Sequence, residues 1–417
     1  MTSLKQMDRA ELQMFYEAAL KEYESCKAKG LKLDMSRGKP SRAQVALSND
    51  MLNIDVVSNA VTDGIDAFNY GGLDGLPICR KFFADTLGVK PEQVFVGGNA
   101  SLQLMYDTIA KAYTHGLLHS EKPWAKLDKV KWLCPAPGYD RHFKVTQSFG
   151  MELITVPMND DGPDMGMVEE VIKDSAVKGM WCVPLYSNPT GAIYSDEVVH
   201  RIASMEATSD FRVFWDNAYM VHHLTDEEVT ISNILKDTSV HPNRVFEFFS
   251  TSKITFPGGG VAGCASSIEN IKWLEKTSLL QLKTGDKINQ LRHALFLKNK
   301  QGVLEHMAKH RTIIKPKFDL IDDMLTNRIG YNDNVKWNNP KGGYFINLEF
   351  ASGGAKSVYE YCKERGLRIT PAGSTFPYGI DPEDKFLRLA PTYLSLDELE
   401  VASAILCEAI VNELGLE

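Results

Sequence analysis

Four short runs carry residue types that could do chemistry together: GGNAS (97–101), SNPTG (187–191), DNAY (216–219) and STSK (250–253). The amine of Lys253 can form a Schiff base with an aldehyde. The carboxylate of Asp216 can keep a heteroaromatic nitrogen protonated. Asn188 and Tyr219 offer hydrogen-bond donors suited to a phenolic oxygen. GGNAS leads into LQLMYDTIAKAY, a helix start whose free amides suit a phosphate, and Ser250 and Ser252 add hydroxyl donors. An aldehyde, a protonated ring nitrogen, a phenolic oxygen and a phosphate are the groups of pyridoxal phosphate.

Taken one at a time, each run has an ordinary reading. A lysine after a Ser-rich turn is usually solvated, an aspartate after a strand commonly caps a helix, and NPTG is a good turn sequence. GGNAS could simply link a strand to a helix. The weight lies in their joint occurrence and order.

The elements that must position these residues are short apolar runs alternating with amphipathic stretches. The candidate strands are 93–97, 130–134, 151–157, 179–184, 211–215, 244–249 and 261–265, with helical patterns at 101–117, 165–176 and 196–205. Strands alternating with helices imply a mainly parallel sheet covered on both faces, and ligands of such sheets lie beyond the strands' carboxyl ends. Each of the four runs follows a predicted strand, so all four can line one crevice. Residues 8–29 read as a helix, 31–35 as extended, 36–41 as a loop and 267–328 as helical nearly throughout. Beyond Gly342, strands are expected at 343–350, 367–370 and 385–390, with helices at 356–365 and 395–413. The expected fold is α/β, with a mainly parallel seven-stranded sheet flanked by helices in a large domain, 46–315. A smaller α+β domain forms from 1–45 and 316–417.

The chain has 417 residues and a formal charge of −8, which argues against a nucleic-acid partner. Its seven cysteines are scattered without a C-x-x-C pair, as suits a reducing cytoplasm. The amphipathic N-terminus lacks the apolar core of a signal peptide, and no apolar run is long enough to span a bilayer. A cytoplasmic protein without membrane or nucleic-acid partners is expected.

The order SNPTG, DNAY, S-x-x-K resembles the aminotransferases of pyridoxal-phosphate fold type I, over nearly the whole chain. MSRGKPS (35–41), STSKITFPGGG (250–260) and TGDKINQLRH (284–293) resemble more narrowly a bacterial subgroup of aspartate aminotransferases. They are also similar to the aminotransferase half of MocR-type regulators, whose N-terminal helix-turn-helix is not expected here. The resemblance implies that Lys253 carries the cofactor and shuttles the proton, that Asp216 pairs with the pyridine nitrogen, and that Tyr219 and Asn188 bond the phenolic oxygen. It implies that Tyr139, in PAPGYD (135–140), stacks on the cofactor, and that Asn99, Ala100, Ser101 and Ser250 hold the phosphate. Tyr70, in YGGLDG (70–75), would reach the phosphate of a neighbouring subunit, which implies a homodimer with shared sites. Arg388, in KFLRLAPT (385–392), would grip the substrate α-carboxylate beside Gly38. A planar guanidinium suits that task, although an arginine on a strand edge ordinarily pairs with a surface acid.

The implied reaction moves the amino group of L-aspartate to 2-oxoglutarate, giving oxaloacetate and L-glutamate by a ping-pong mechanism. Rival readings are an alanine or aromatic aminotransferase, a β-lyase, or a pyridoxal-phosphate sensor without turnover. One departure stands out. Many relatives place an arginine about eight residues after the lysine, whereas ITFPGGGVAG (254–263) has none. Lys283 and Lys287 are the candidate replacements. For a substrate's distal carboxylate the candidates are Arg37, Arg141 and Arg292, with Arg37 first because it shares the loop of Gly38. His306 and His310 have metal-ligand spacing but no H-E-x-x-H signature, so a solvated helix face and no metal site are expected.

Overall fold

The computed structural model describes residues 10, 14, 21, 33–237, 241–330 and 333–415. Its largest sheet runs in the order Val94–Val96, Ala262–Ala265, Val245–Ser250, Arg212–Asp216, Val177–Cys182, Lys131–Ala136, Glu152–Asn159 and Gly162–Pro163. All seven expected strands are present, and the eighth is a two-residue hairpin return. The central pairs are parallel. Ala262–Ala265 is antiparallel to both of its neighbours, so Val94–Val96 regains the common direction.

Every residue of Val177–Cys182, Arg212–Asp216, Val245–Ser250 and Ala262–Ala265 is buried. Their mainly apolar runs fit strands covered on both faces, with Lys178, Arg212, Asp216 and Glu247 as buried charged exceptions. On one face Trp132 packs among Trp124, Trp181 and Phe214. On the other, Met165, Val168, Val198 and Ile202 pack with Met180, Val213 and Trp215.

The stretch expected to be helical from 267 to 328 is three helices, Ile268–Ser278, Lys287–Leu297 and Lys300–Arg328. The breaks come from caps that periodicity does not reveal: Asp286 accepts from the Asn289 amide and Asn299 from the Gly302 amide. Of the helix expected at 8–29, only Ala10, Met14 and Lys21 are described, each helical; the remainder lies outside the described residues.

The remaining elements build a second core. Val335–Trp337, Ile346–Phe350 and Phe386–Leu389 form an antiparallel sheet, and Leu33–Asp34 pairs in parallel with Leu367–Arg368. Helices Ala355–Glu364 and Leu396–Glu413 pack on them. Lys300–Arg328 passes unbroken through position 315, where the domain boundary is expected. Val303 and Met307 belong to the core that holds Phe83 and Phe249, whereas Ile314, Phe318 and Ile321 belong to the one that holds Leu348 and Leu389. The chain therefore changes packing partners within one helix. Among the described residues no helix is long and apolar enough to cross a membrane.

Candidate active site

The four runs converge as the strand–helix alternation implies. Asp216 is the last residue of Arg212–Asp216, and Lys253 lies three residues beyond Val245–Ser250. Asn188 follows Val177–Cys182, and Ser101 opens the helix Ser101–His115 after Val94–Val96. The Lys253 amine stands 5.0 Å from the centre of the Tyr219 ring. Desolvation pulls its pKa down from the usual lysine value, with the nearby Asp216 carboxylate opposing. Burial holds the Tyr219 phenol well above its ordinary value, and the charges of Tyr139 and Asp216 add to this. Burial also raises Tyr139, to about 12.

Asp216 is 4% exposed. Its Oδ2 lies 2.9 Å from His142 Nε2, while its buried Oδ1 has no hydrogen-bond partner among the described residues. The His142 ring stacks on Trp181 at 4.3 Å and 9°. His142 escaped the sequence reading. It lies three residues after Tyr139, one turn into Asp140–Ser148, and that spacing is the only local signal for it.

Arg388 is 6% exposed. Its Nε donates to Thr370 Oγ1 at 3.1 Å, and one terminal nitrogen donates to Asn188 Oδ1 at 3.1 Å. Asp140 lies 3.6 Å from that nitrogen, and the guanidinium sits 4.8 Å over the Phe345 ring. The loop of Gly38 is tied to the same place. Thr370 donates to the Ser36 carbonyl at 3.0 Å, Thr392 to that of Lys39 at 2.9 Å, and the Ala390 amide to that of Met35 at 2.9 Å. Gly38 is pressed so closely on Phe345 that a Cβ would stand 2.5 Å from the ring.

At the other end of the cleft, Ala100 is the N-cap of Ser101–His115 and supplies no side-chain cap. The Gln103 amide donates to the Ala100 carbonyl at 3.1 Å, and the amides before it are available to a ligand. Ser250 Oγ donates to Ser252 Oγ at 3.2 Å, and Ser252 Oγ to the Asn99 carbonyl at 3.2 Å. Gly260 closes on this group: a Cβ there would meet Asn99 O at 2.9 Å and Ser252 Oγ at 3.3 Å. Lys287, one candidate for the missing cation, is buried and donates to the Asp66 carbonyl at 2.7 Å, while Lys283 is exposed. Arg37 and Arg141 are exposed, and the buried Nε of Arg292 has no partner among the described residues. Tyr70 is 78% exposed. The expectation of a solvated face for His306 and His310 is overturned: they are 6% and 0% exposed, because this face of the helix packs on the Lys253 turn.

Residues 7–413 match the model of the aspartate amino-transferase family. The chain belongs to that family. An aspartate aminotransferase of Corynebacterium glutamicum is 45% identical over 404 residues, spanning 96% of this chain and 94% of that one. The crystal structure of an aspartate transaminase from the same organism superposes with a TM-score of 0.91 at 43% identity, covering both chains fully. An alpha-aminoadipate aminotransferase of Thermus thermophilus, solved with N-(5'-phosphopyridoxyl)-L-leucine, shares the fold alone, with a TM-score of 0.74 at 22% identity over 97% of this chain and 96% of that one. The protein is a pyridoxal-phosphate transaminase of fold type I. Its residues fit the cofactor: Asp216 Oδ1 is a buried acceptor that suits a donor such as a protonated ring nitrogen, and a side chain at Gly260 would fill the space beside Asn99 and Ser252, where the phosphate is expected.

Proposed function

We propose that the enzyme transfers the amino group of L-aspartate to 2-oxoglutarate, with Lys253 as the cofactor-bearing amine and proton carrier. The observation that carries this reading is a desolvated lysine amine within the field of a buried carboxylate that keeps one oxygen free. The aspartate aminotransferase 45% identical to the chain supports the choice of substrate.

Bound pyridoxal phosphate supplies an aldehyde that links to an amine and a ring that accepts the electron pair left when a proton leaves the substrate Cα. Asp216 Oδ1 receives the ring N–H, and His142, braced on Trp181, fixes the other carboxylate oxygen. Tyr219 stays protonated, since burial raises its pKa, and donates to the phenolic oxygen. Asn188 accepts from Arg388 through its carbonyl oxygen, which leaves its NH₂ as the group that would donate to the phenolic oxygen. Arg388 keeps hydrogens on both terminal nitrogens for the substrate α-carboxylate, beside Gly38. Lys253, whose pKa desolvation lowers, would take the proton from the substrate Cα once freed and deliver it to the cofactor's aldehyde carbon, across the linking nitrogen. The first product leaves before the second substrate enters, so the kinetics are ping-pong.

The backbone amides of Asn99, Ala100 and Ser101, at the start of the helix Ser101–His115, would hold the phosphate with Ser250 in place of the missing arginine. Leu52, Val57, Val61, Phe68 and Tyr70 are all exposed in one stretch of chain. That stretch supports a homodimer in which Tyr70 completes the partner's phosphate site. Arg37 is the first candidate for the distal carboxylate.

The test is borohydride reduction of the holoenzyme, followed by peptide mapping, with a panel of amino donors against 2-oxoglutarate. The label is expected on Lys253 and the highest kcat/KM with L-aspartate. Label on another lysine refutes the site, and alanine or an aromatic donor ranking first refutes the substrate.

A further inference from the structure

The mechanism above gives His306 and His310 nothing to do, yet both are buried where Lys300–Arg328 passes from one core to the other. His306 Nε2 stands 3.0 Å from the carbonyl oxygen of Ile254, the residue after Lys253. His310 Nε2 lies 3.3 Å from His306 Nε2, beside the same carbonyl. Gln44 Oε1 accepts from the Ser41 amide at 2.9 Å, which fixes the amide orientation. Gln44 Nε2 then points to the Tyr344 hydroxyl at 2.9 Å and to His310 Nδ1 at 3.2 Å. An amide nitrogen only donates, so His310 Nδ1 accepts and its proton sits on Nε2. Tyr344 passes the chain on, donating to the Lys253 carbonyl at 3.3 Å. Ser48 Oγ lies 3.2 Å from His306 Nε2. Gln44, Ser48, His310 and Tyr344 are all fully enclosed.

This network joins four segments far apart in sequence. Gln44 lies on Arg42–Ala46, which follows directly from the loop of Gly38. A lysine side chain has four rotatable bonds, so where its amine rests depends on how firmly its backbone is held. Here the carbonyls of two consecutive residues, 253 and 254, are both gripped from outside the turn. Burial lowers the pKa of His310 to about 4, with His306 adding to the effect. The ring is therefore neutral near pH 7, as its acceptor role requires. Among the described residues no group of three His, Cys, Asp or Glu is arranged to hold a metal.

We propose that Gln44, Tyr344, His306 and His310 are positioning residues that set the Lys253 amine in register with the substrate loop carrying Gly38. This rests on Lys253 being the cofactor-linked amine, and the experiment separates the two ideas. The near-visible absorbance of the holoenzyme is titrated with pH in wild type, Tyr344→Phe, Gln44→Met, His306→Leu, His306→Gln and Lys253→Ala. Tyr344→Phe, Gln44→Met and His306→Leu are expected to move the titration midpoint by about half a pH unit or more. They should also lower kcat about tenfold, with KM for the amino acid changed less than about threefold. His306→Gln, whose amide reaches the same carbonyl, should stay near wild type. A midpoint and kcat unchanged in the folded variants, even with a lower melting temperature, overturn the proposal. Should His306→Leu not fold, Tyr344→Phe decides, since it removes a single oxygen. If Lys253→Ala keeps the titrating band, the lysine assignment itself fails; if that band is lost and the other variants do not shift, only the network fails.

Discussion

Asp216 shows how single atoms divide the work of a site. One carboxylate oxygen is held by His142, and the other is buried and free to meet a protonated ring nitrogen. An amide of the same shape cannot supply that charge. Asp216→Asn is therefore expected to keep the fold and lower kcat by about a thousandfold, measured by steady-state turnover with cofactor saturating. Arg388 gives a contrasting case. Its guanidinium bonds Thr370 and Asn188 and lies over Phe345, contacts that a lysine cannot all reproduce. Arg388→Lys should raise KM for the amino acid about tenfold or more, with a smaller change in kcat. Equal falls in kcat and kcat/KM, with KM unchanged, would place the arginine's action in the transition state instead.

At the scale of elements, close approach is what the glycines make possible. Gly260 lets the turn after Lys253 come against Asn99 and Ser252, where a Cβ would stand 2.9 Å from a backbone oxygen that cannot move aside. Gly260→Ala is expected to weaken cofactor retention about tenfold, read by titrating apoenzyme with pyridoxal phosphate, and to cost about 1–3 kcal/mol of stability through the same clash. Gly179 has a purely structural part. A Cβ there would sit 2.3 Å from the Trp132 ring in the middle of the sheet. Gly179→Ala should cost about 1–3 kcal/mol in denaturant unfolding and leave cofactor affinity intact in the folded fraction.

For the whole molecule, buried neutral histidines tie stability to acid. Burial lowers His293 and His310 to about 4, well below the value of about 6.5 in an unfolded chain. Between those values the unfolded chain binds protons that the folded one does not, so unfolding is favoured as pH falls. The denaturant midpoint is expected to hold above about pH 6.5 and to drop steadily toward pH 4. A flat profile across that window would mean that these rings gain protons without loss of structure. The protein's second global property is the exposed apolar stretch around Tyr70. If the proposed homodimer shares its sites, mixing Lys253→Ala and Tyr70→Ala chains should recover part of the activity that each variant alone lacks, because one of the two sites then has both residues intact.

The sequence by itself determined the strand–helix alternation, the seven principal strands and the four runs at their ends, because burial on both faces writes mainly apolar segments into the chain. It could not reveal contacts between residues whose spacing carries no pattern. Only the tertiary structure put His142 under Asp216, Thr370 between Arg388 and the Ser36 carbonyl, and Gln44 between Tyr344 and His310. It also turned His306 and His310 inward, when helical spacing fits a wet face and a buried one equally well. A hydrogen bond across 266 residues, such as the one between Gln44 and His310, depends on how two cores dock along one helix. That docking is a property of the packed surfaces and leaves no periodicity in either segment.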